Sequence, residues 1–132
     1  MSDVLQKQVS PALTSGQTIT TTTETQVAYS SRAAVPYQTI RSHVRGWVSI
    51  ALGTGTNLLT LRIRRGNGVT GTIVQSTQLT VAASANETMT IEFNEQLLNA
   101  EYADYSLTVQ QGSATGNATV NQAILEVEMI NG

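Results

Sequence analysis

Arg41, His43, Arg45, Arg62 and Arg64 crowd into one stretch of this chain together with Trp47, its only tryptophan, and they include most of its seven basic residues. Guanidinium groups recognise carboxylates and phosphates through paired hydrogen bonds, and Trp and Arg are the residue types enriched at the centres of protein interfaces. The one imidazole, His43, rules out any site that needs two, including H-E-x-x-H zinc hydrolysis. A Ser–His–acid triad would have to be built on His43 among arginines, and no G-x-S-x-G elbow accompanies it. His43 therefore reads as an ordinary exposed or interface histidine.

The carboxylates are weighed in the same way. A glycosidase needs two at a fixed separation. Glu126 and Glu128 share a strand face, while Glu92, Glu95, Glu101 and Asp104 surround one connection. A solvated face explains them equally well, and they are natural counter-charges for the arginines. Residues 66–71, Gly-Asn-Gly-Val-Thr-Gly, match the dinucleotide fingerprint G-x-G-x-x-G. That motif works only between a strand and a helix whose N-terminus meets the pyrophosphate. Thr72-Ile73-Val74 carries no helical pattern, so Asn67-Gly68 reads as a turn that supplies positive φ. A D-x-D-x-D calcium loop is absent. No catalytic residue, metal or cofactor is expected, and the basic residues and Trp47 form a candidate interface.

The element expected to position that interface is a hairpin over residues 44–65. Val48, Ile50 and Leu52 alternate with Arg45, Trp47 and Ser49 on the first arm, and Leu59, Leu61 and Ile63 with Thr60, Arg62 and Arg64 on the second. A turn centred on Thr54 and Gly55 sets Ile50 against Leu59, Val48 against Leu61, Trp47 against Arg62 and Arg45 against Arg64. The apolar sets then share one face and the basic residues the other. Like charges directly opposed on a sheet repel, so carboxylates from elsewhere in the fold or from another subunit are expected beside Arg45 and Arg64.

The remaining chain is strand after strand. Residues 1–16 read as an irregular arm, with room for a short helical turn over residues 4–9. The threonine-rich residues 17–30 read as one long strand, and residues 31–36 as a connection, because Pro36 opposes strand continuity. A strand or two follows over residues 72–81, with Leu79 and Val81 inward. Residues 87–94 turn Met89, Ile91 and Phe93 inward. Residues 96–103 form a short helix or wide loop. Tyr105, Leu107 and Val109 alternate next, and the last strand places Ala123, Leu125, Val127 and Met129 opposite Glu126 and Glu128. About seven or eight strands at regular spacing give an all-β antiparallel sandwich, with a jelly roll as the version expected.

The 132 residues suffice for one domain, an arm over 1–16 and a sandwich over 17–132. The absence of cysteine excludes thiol catalysis and cysteine-based metal sites. Charged residues are only 12% of the chain and the net charge is −2, which does not favour nucleic acid. No apolar run suggests a secretory leader or a membrane span, so synthesis in a cytoplasm is expected. The sequons at Asn86 and Asn117 then read as chance in a threonine-rich chain.

The threonine-rich residues 18–29, Arg45-Gly46-Trp47-Val48, Gly53-Thr54-Gly55-Thr56, Leu61-Arg62-Ile63-Arg64-Arg65-Gly66, Thr70-Gly71-Thr72 and Tyr105-Ser106-Leu107-Thr108-Val109 carry a resemblance from residue 17 onward. Together they resemble small all-β structural proteins of tailed bacteriophages, of the kind that decorate capsids or form fibre and tail knobs. The resemblance implies a non-enzymatic jelly-roll subunit of a virion, made in the host cytoplasm. Such a subunit is commonly a homotrimer whose partner is the major capsid protein or another virion protein, and the irregular residues 1–16 of this chain are then expected to lie on the shell as an arm. A receptor- or carbohydrate-binding fibre tip is the other role it implies, with Trp47, Tyr37 and Tyr102 as the aromatic candidates.

Overall fold

The computed structural model describes residues 4–9, 16–34, 40–97 and 102–131. Among the described residues there are nine strands and no helix: β1 Val4–Val9, β2 Gln17–Ile19, β3 Thr25–Ala34, β4 Ile40–Leu52, β5 Asn57–Arg65, β6 Ile73–Val81, β7 Asn86–Leu97, β8 Tyr102–Gln111 and β9 Ala118–Asn131. One sheet runs β1-β9-β4-β7, with β2 also on β9, and the other runs β3-β8-β5-β6. All pairings are antiparallel.

The register reveals how the chain is wound. Leu61 faces Thr77, Arg45 faces Glu92, Tyr29 faces Ser106 and Thr18 faces Thr119. These pairs nest inside one another, so the chain from β2 to β9 is one long antiparallel ribbon doubled back at the turn between β5 and β6. Rolling that ribbon brings β9 against β4 and β8 against β5 and closes two sheets face to face. This is a jelly roll.

The hairpin at the centre of the ribbon is therefore β5–β6, and the expected β4–β5 hairpin is overturned. β4 lies between β9 and β7, whereas β5 lies between β8 and β6 in the opposite sheet. Residues 53–56 cross from one sheet to the other. Gly53 N–H donates to the Asn117 carbonyl at 3.1 Å, and its own carbonyl accepts from Ser84 N–H at 2.7 Å, so the link is held by neighbouring loops. The side-chain faces nonetheless come out as the alternation requires. Val48, Ile50, Leu59, Leu61 and Ile63 are wholly buried between the sheets.

Other segments depart from expectation for local reasons. Residues 17–30 break at a bend over residues 21–23, where Thr21 Oγ1 accepts from Thr23 N–H and Thr25 Oγ1 donates to the Thr23 carbonyl, both at 3.3 Å. Threonine hydroxyls compete with the ladder for backbone groups, and the corner lets the chain pass from one sheet to the other. β3 then continues to Ala34, into the expected connection. Val4–Val9 is a strand on β9 in place of an irregular or helical lead-in. In β9, Ser49 faces Gln122 and Ile50 faces Val120, leaving Asn121 as a bulge. The extra residue shifts the phase, so Ala118 and Val120 are buried as well as Ala123, Leu125, Val127 and Met129. β7 extends to Leu97 and β8 begins at Tyr102. Residues 98–101, the middle of the expected helix or loop, lie outside the described residues, as do 35–39 with Pro36 and Tyr37.

The core is filled by Val, Ile, Leu and Met from both sheets, closed at one end by Tyr105. Gly46 interrupts the apolar row of β4 between Val44 and Val48. A Cβ built there would lie 2.8 Å from Leu107 Cδ1 and 3.2 Å from Ile91 Cγ2, so the glycine admits Leu107 from the facing sheet.

Candidate functional site

Because β4 and β5 belong to different sheets, the expected basic ribbon is divided between the two outer faces of the sandwich. Arg41, His43, Arg45 and Trp47 stand on the β4 face, and Arg62 and Arg64 on the β5 face. Trp47 does not meet Arg62, and Arg45 does not oppose Arg64. Each arginine group has instead acquired carboxylates.

On the β4 face, register places Arg45 between Glu92 of β7 and Glu126 of β9, and Trp47 between Thr90 and Ile124. Arg45 Nη2 donates to Glu126 Oε1 at 2.8 Å and lies 3.8 Å from Glu128 Oε1. The hydrogen bond to Glu126 raises the guanidinium pKa further above its usual range, with Glu128 and Glu92 adding to the effect. His43 Nε2 lies 3.8 Å from Glu92 Oε2. Ser42, its neighbour in sequence, points to the opposite side of the strand and is buried beside Tyr105, so Ser42 and His43 cannot form a nucleophile–base pair. Arg41 is exposed near the start of β4, opposite Gln96 and Ile130. Arg45, Trp47, Thr90, Glu92 and Glu126 line an open cleft of about 230 Å³.

On the β5 face one carboxylate gathers everything. Glu24, at the corner before β3, accepts from Arg64 Nε at 2.6 Å, Arg64 Nη2 at 2.8 Å, Arg62 Nη1 at 3.0 Å and Thr108 Oγ1 at 2.6 Å. The Arg64 hydrogen bonds hold the Glu24 carboxyl below the usual carboxylate range, against the opposing effect of burial, and Thr108 and Arg62 reinforce them. Arg62 also donates to Gln110 at 2.7 Å, and Arg64 to the Gly71 carbonyl at 2.6 Å. The counter-charge that these two arginines require is Glu24, which the alternation pattern alone does not single out. The signal was its isolation, since Glu24 is the sole charged residue in residues 8–31.

Glu126 and Glu128, weighed as catalytic carboxylates, both turn toward Arg45. Glu95 forms a two-point ion pair with Arg65 and accepts from the Tyr105 hydroxyl, which also lies 3.2 Å from Ser42 Oγ. Burial, and then the Glu95 carboxylate, push the Tyr105 phenol pKa up. Phe93 meets the Tyr105 ring edge-on with centroids 6.4 Å apart. The Asp104 carboxylate accepts from the Tyr29 hydroxyl at 3.2 Å. Glu101 lies outside the described residues.

The fingerprint-like turn has φ of +80° at Gly66 and +113° at Gly68, as a tight turn requires, and leads into strand β6. The Gly68 N–H, a group that a phosphate would need, already donates to Gln26 Oε1 and to Ser106 Oγ. The nucleotide reading therefore fails on both the missing helix and the occupied donor.

The sequence matches no protein-family model and no curated protein sequence. Solved structures are similar in fold. Eiger TNF from S. frugiperda superposes with a TM-score of 0.56 at 9% identity, over 96% of this chain and 93% of that one. A chain of the T13 infectious bursal disease virus particle superposes with a TM-score of 0.54 at 11% identity, and one from the Gx strain of the same virus with 0.50 at 11%. Each of those two matches covers 96% of this chain, which spans only 35% and 37% of the respective virus chains. At these identities the likeness is one of fold: the chain is a jelly-roll sandwich of the kind found in viral particles and in a TNF protein.

Proposed function

We propose that this chain is a non-enzymatic structural protein of a virion, made in the host cytoplasm, and that it decorates a capsid as a homo-oligomer, most simply a trimer. The observation that carries this reading is where the charges go. Arg45, Arg62, Arg64 and Arg65 are each met by a glutamate of the same chain, so these ionic groups hold strands together. What the β4 face offers outward is an indole beside an arginine in an open cleft, a composition suited to a protein partner. The jelly-roll fold, present also in chains of viral particles, is compatible with that role and does not by itself decide it. Because residues 4–9 are paired to β9, attachment to the shell is assigned to the β4 face in place of the N-terminal arm.

The test is co-sedimentation with shells assembled from the major capsid protein of the same virus. The wild-type chain pellets with shells, and Trp47→Ala, folded by circular dichroism, loses affinity by about 30-fold or more if Trp47 is a hot spot. Undiminished binding by Trp47→Ala would remove the face assignment, and failure of the wild type to pellet would remove the decoration role.

A second reading, a saccharide-binding tip, is favoured by the same cleft, where an aromatic surface lies beside Arg45, Thr90 and Glu92. Trp47 is the sole tryptophan, so its fluorescence reports directly on the cleft. Saturable quenching by host-surface polysaccharide would support this role, and an unchanged spectrum across a panel of neutral and acidic glycans would exclude it.

A further inference from the structure

Sheet edges expose unpaired backbone groups, and soluble proteins blunt them with charges, proline or short strands. Three edges of this sandwich follow that rule. β7 carries Glu87, Glu92 and Glu95. Lys7 and Arg32 stand in the sequences of β1 and β3. β2 is only three residues long.

β6 does not follow it. This edge strand is nine residues long, Ile-Val-Gln-Ser-Thr-Gln-Leu-Thr-Val, with no charge and no proline. The gap extends beyond the strand, because residues 66–86 contain no charged side chain at all. A second charge-free run covers residues 105–125, but it belongs to β8 and β9, which are paired on both sides. Three of the large apolar side chains exposed among the described residues also lie in the β6 segment: Val69 at 36%, Ile73 at 45% and Leu79 at 36%. Leu79 is paired with fully buried Leu59 and so stands on the inner side of its sheet. Its exposure shows that the sandwich is open beside Leu79, whereas nearer the start of β6 the Gln75 Nε2 bridges to β7 by donating to the Glu92 carbonyl at 3.1 Å. A groove of about 160 Å³ lined by Thr77, Gln78, Leu79, Met89 and Thr90 lies there.

We infer that the β6 edge and its groove are where copies of this chain meet, with β6 lining the symmetry axis of the oligomer. This rests on the homo-oligomer reading above and identifies its contact. The reason for a second copy as occupant is electrostatic. Near a two-fold or three-fold axis each residue approaches its own copies, so any charge there would meet the same charge. A charge-free edge escapes that repulsion, and threonine, serine and glutamine side chains can serve one another as both donors and acceptors. The acidic β7 edge and the mixed β4 face do not offer this self-complementarity.

The experiment is light scattering on the full chain and on Leu79→Lys, with Val9→Lys as the control at an exposed apolar residue elsewhere. The wild type and Val9→Lys are multimeric, whereas Leu79→Lys has the mass of one chain and an unchanged circular dichroism spectrum. A Leu79→Lys protein that stays multimeric overturns the inference and leaves the oligomer reading standing. A monomeric wild type overturns both. If Leu79→Lys loses its fold, Ser76→Cys decides. In a chain without cysteine, a short bis-maleimide should join copies at position 76 of β6 and not at Thr88→Cys on β7. Failure to join at position 76 rejects the β6 contact.

Discussion

Arg64 meets Glu24 edge to edge, with Nε 2.6 Å from Oε2 and Nη2 2.8 Å from Oε1. The pair fastens the corner between β2 and β3 to β5, across β8, whose Thr108 donates to the same carboxylate. Both partners are largely withdrawn from solvent, with the Glu24 side chain 12% and the Arg64 side chain 14% exposed.

Replacing Glu24 with glutamine leaves Arg62 and Arg64 without their counter-charge and is expected to cost about 1–3 kcal/mol, read from urea denaturation at neutral pH. The pH dependence has a definite sign. The Glu24 carboxyl is held below its ordinary 4.5 in the folded chain, so its stabilisation is complete above that value and lost as pH falls through the depressed one. Wild type therefore loses more stability on acidification than Glu24→Gln does. Parallel acid-unfolding curves would contradict this.

Gly46→Ala places a methyl group 2.8 Å from Leu107 Cδ1 in a filled core and is expected to destabilise by about 1–3 kcal/mol. Thermal denaturation checks it. The double variant with Leu107→Val should lose less than the sum of the single changes, because trimming Leu107 makes room for the new methyl.

Much of this was legible beforehand, and the limit was sharp. Alternation assigned Val48, Ile50, Leu59, Leu61, Ile63, Met89 and Ile91 to the interior because side-chain direction depends only on the strand itself. Which strand lies beside β4 is not a property of β4. A four-residue link with two glycines can fold back within a sheet or cross to the facing sheet, and both routes leave the apolar sets inside. The second route holds, so the basic residues that looked like one face are two. Glu24 was missed for a similar reason. Its role depends on a corner made by threonine hydroxyls binding their own backbone, within a run whose β-branched residues read as one strand.

Tyr105→Phe removes the hydroxyl that donates to Glu95 and is expected to cost about 1–2 kcal/mol. In the wild type, burial and Glu95 raise the phenol pKa, so stability tied to the neutral ring is complete below its ordinary value of 10.0 and is lost only as pH rises toward the raised one. Absorbance titration of the wild type against Tyr105→Phe should show that the hydroxyl removed is one that resists ionisation until the chain unfolds in alkali. Four tyrosines ionising together in the folded state would contradict it.

Gly116→Ala combines a φ of +71° with a Cβ driven into the Gly55 carbonyl, where the β8–β9 loop abuts the sheet-crossing link. A loss of at least about 2 kcal/mol is expected. Gly112→Ala, whose new Cβ would meet Leu58 at an ordinary 3.5 Å, should change stability by no more than about 0.5 kcal/mol. Denaturant midpoints of the two variants provide the comparison.

The proposal that this jelly roll is a structural subunit of a virion is tested most directly by quantitative mass spectrometry of gradient-purified virus particles. A structural subunit should be present in a constant ratio to the major shell protein in every particle-containing fraction and should persist through washing at moderate salt. Its absence from intact particles, with the polypeptide abundant in the infected-cell lysate, would contradict that role.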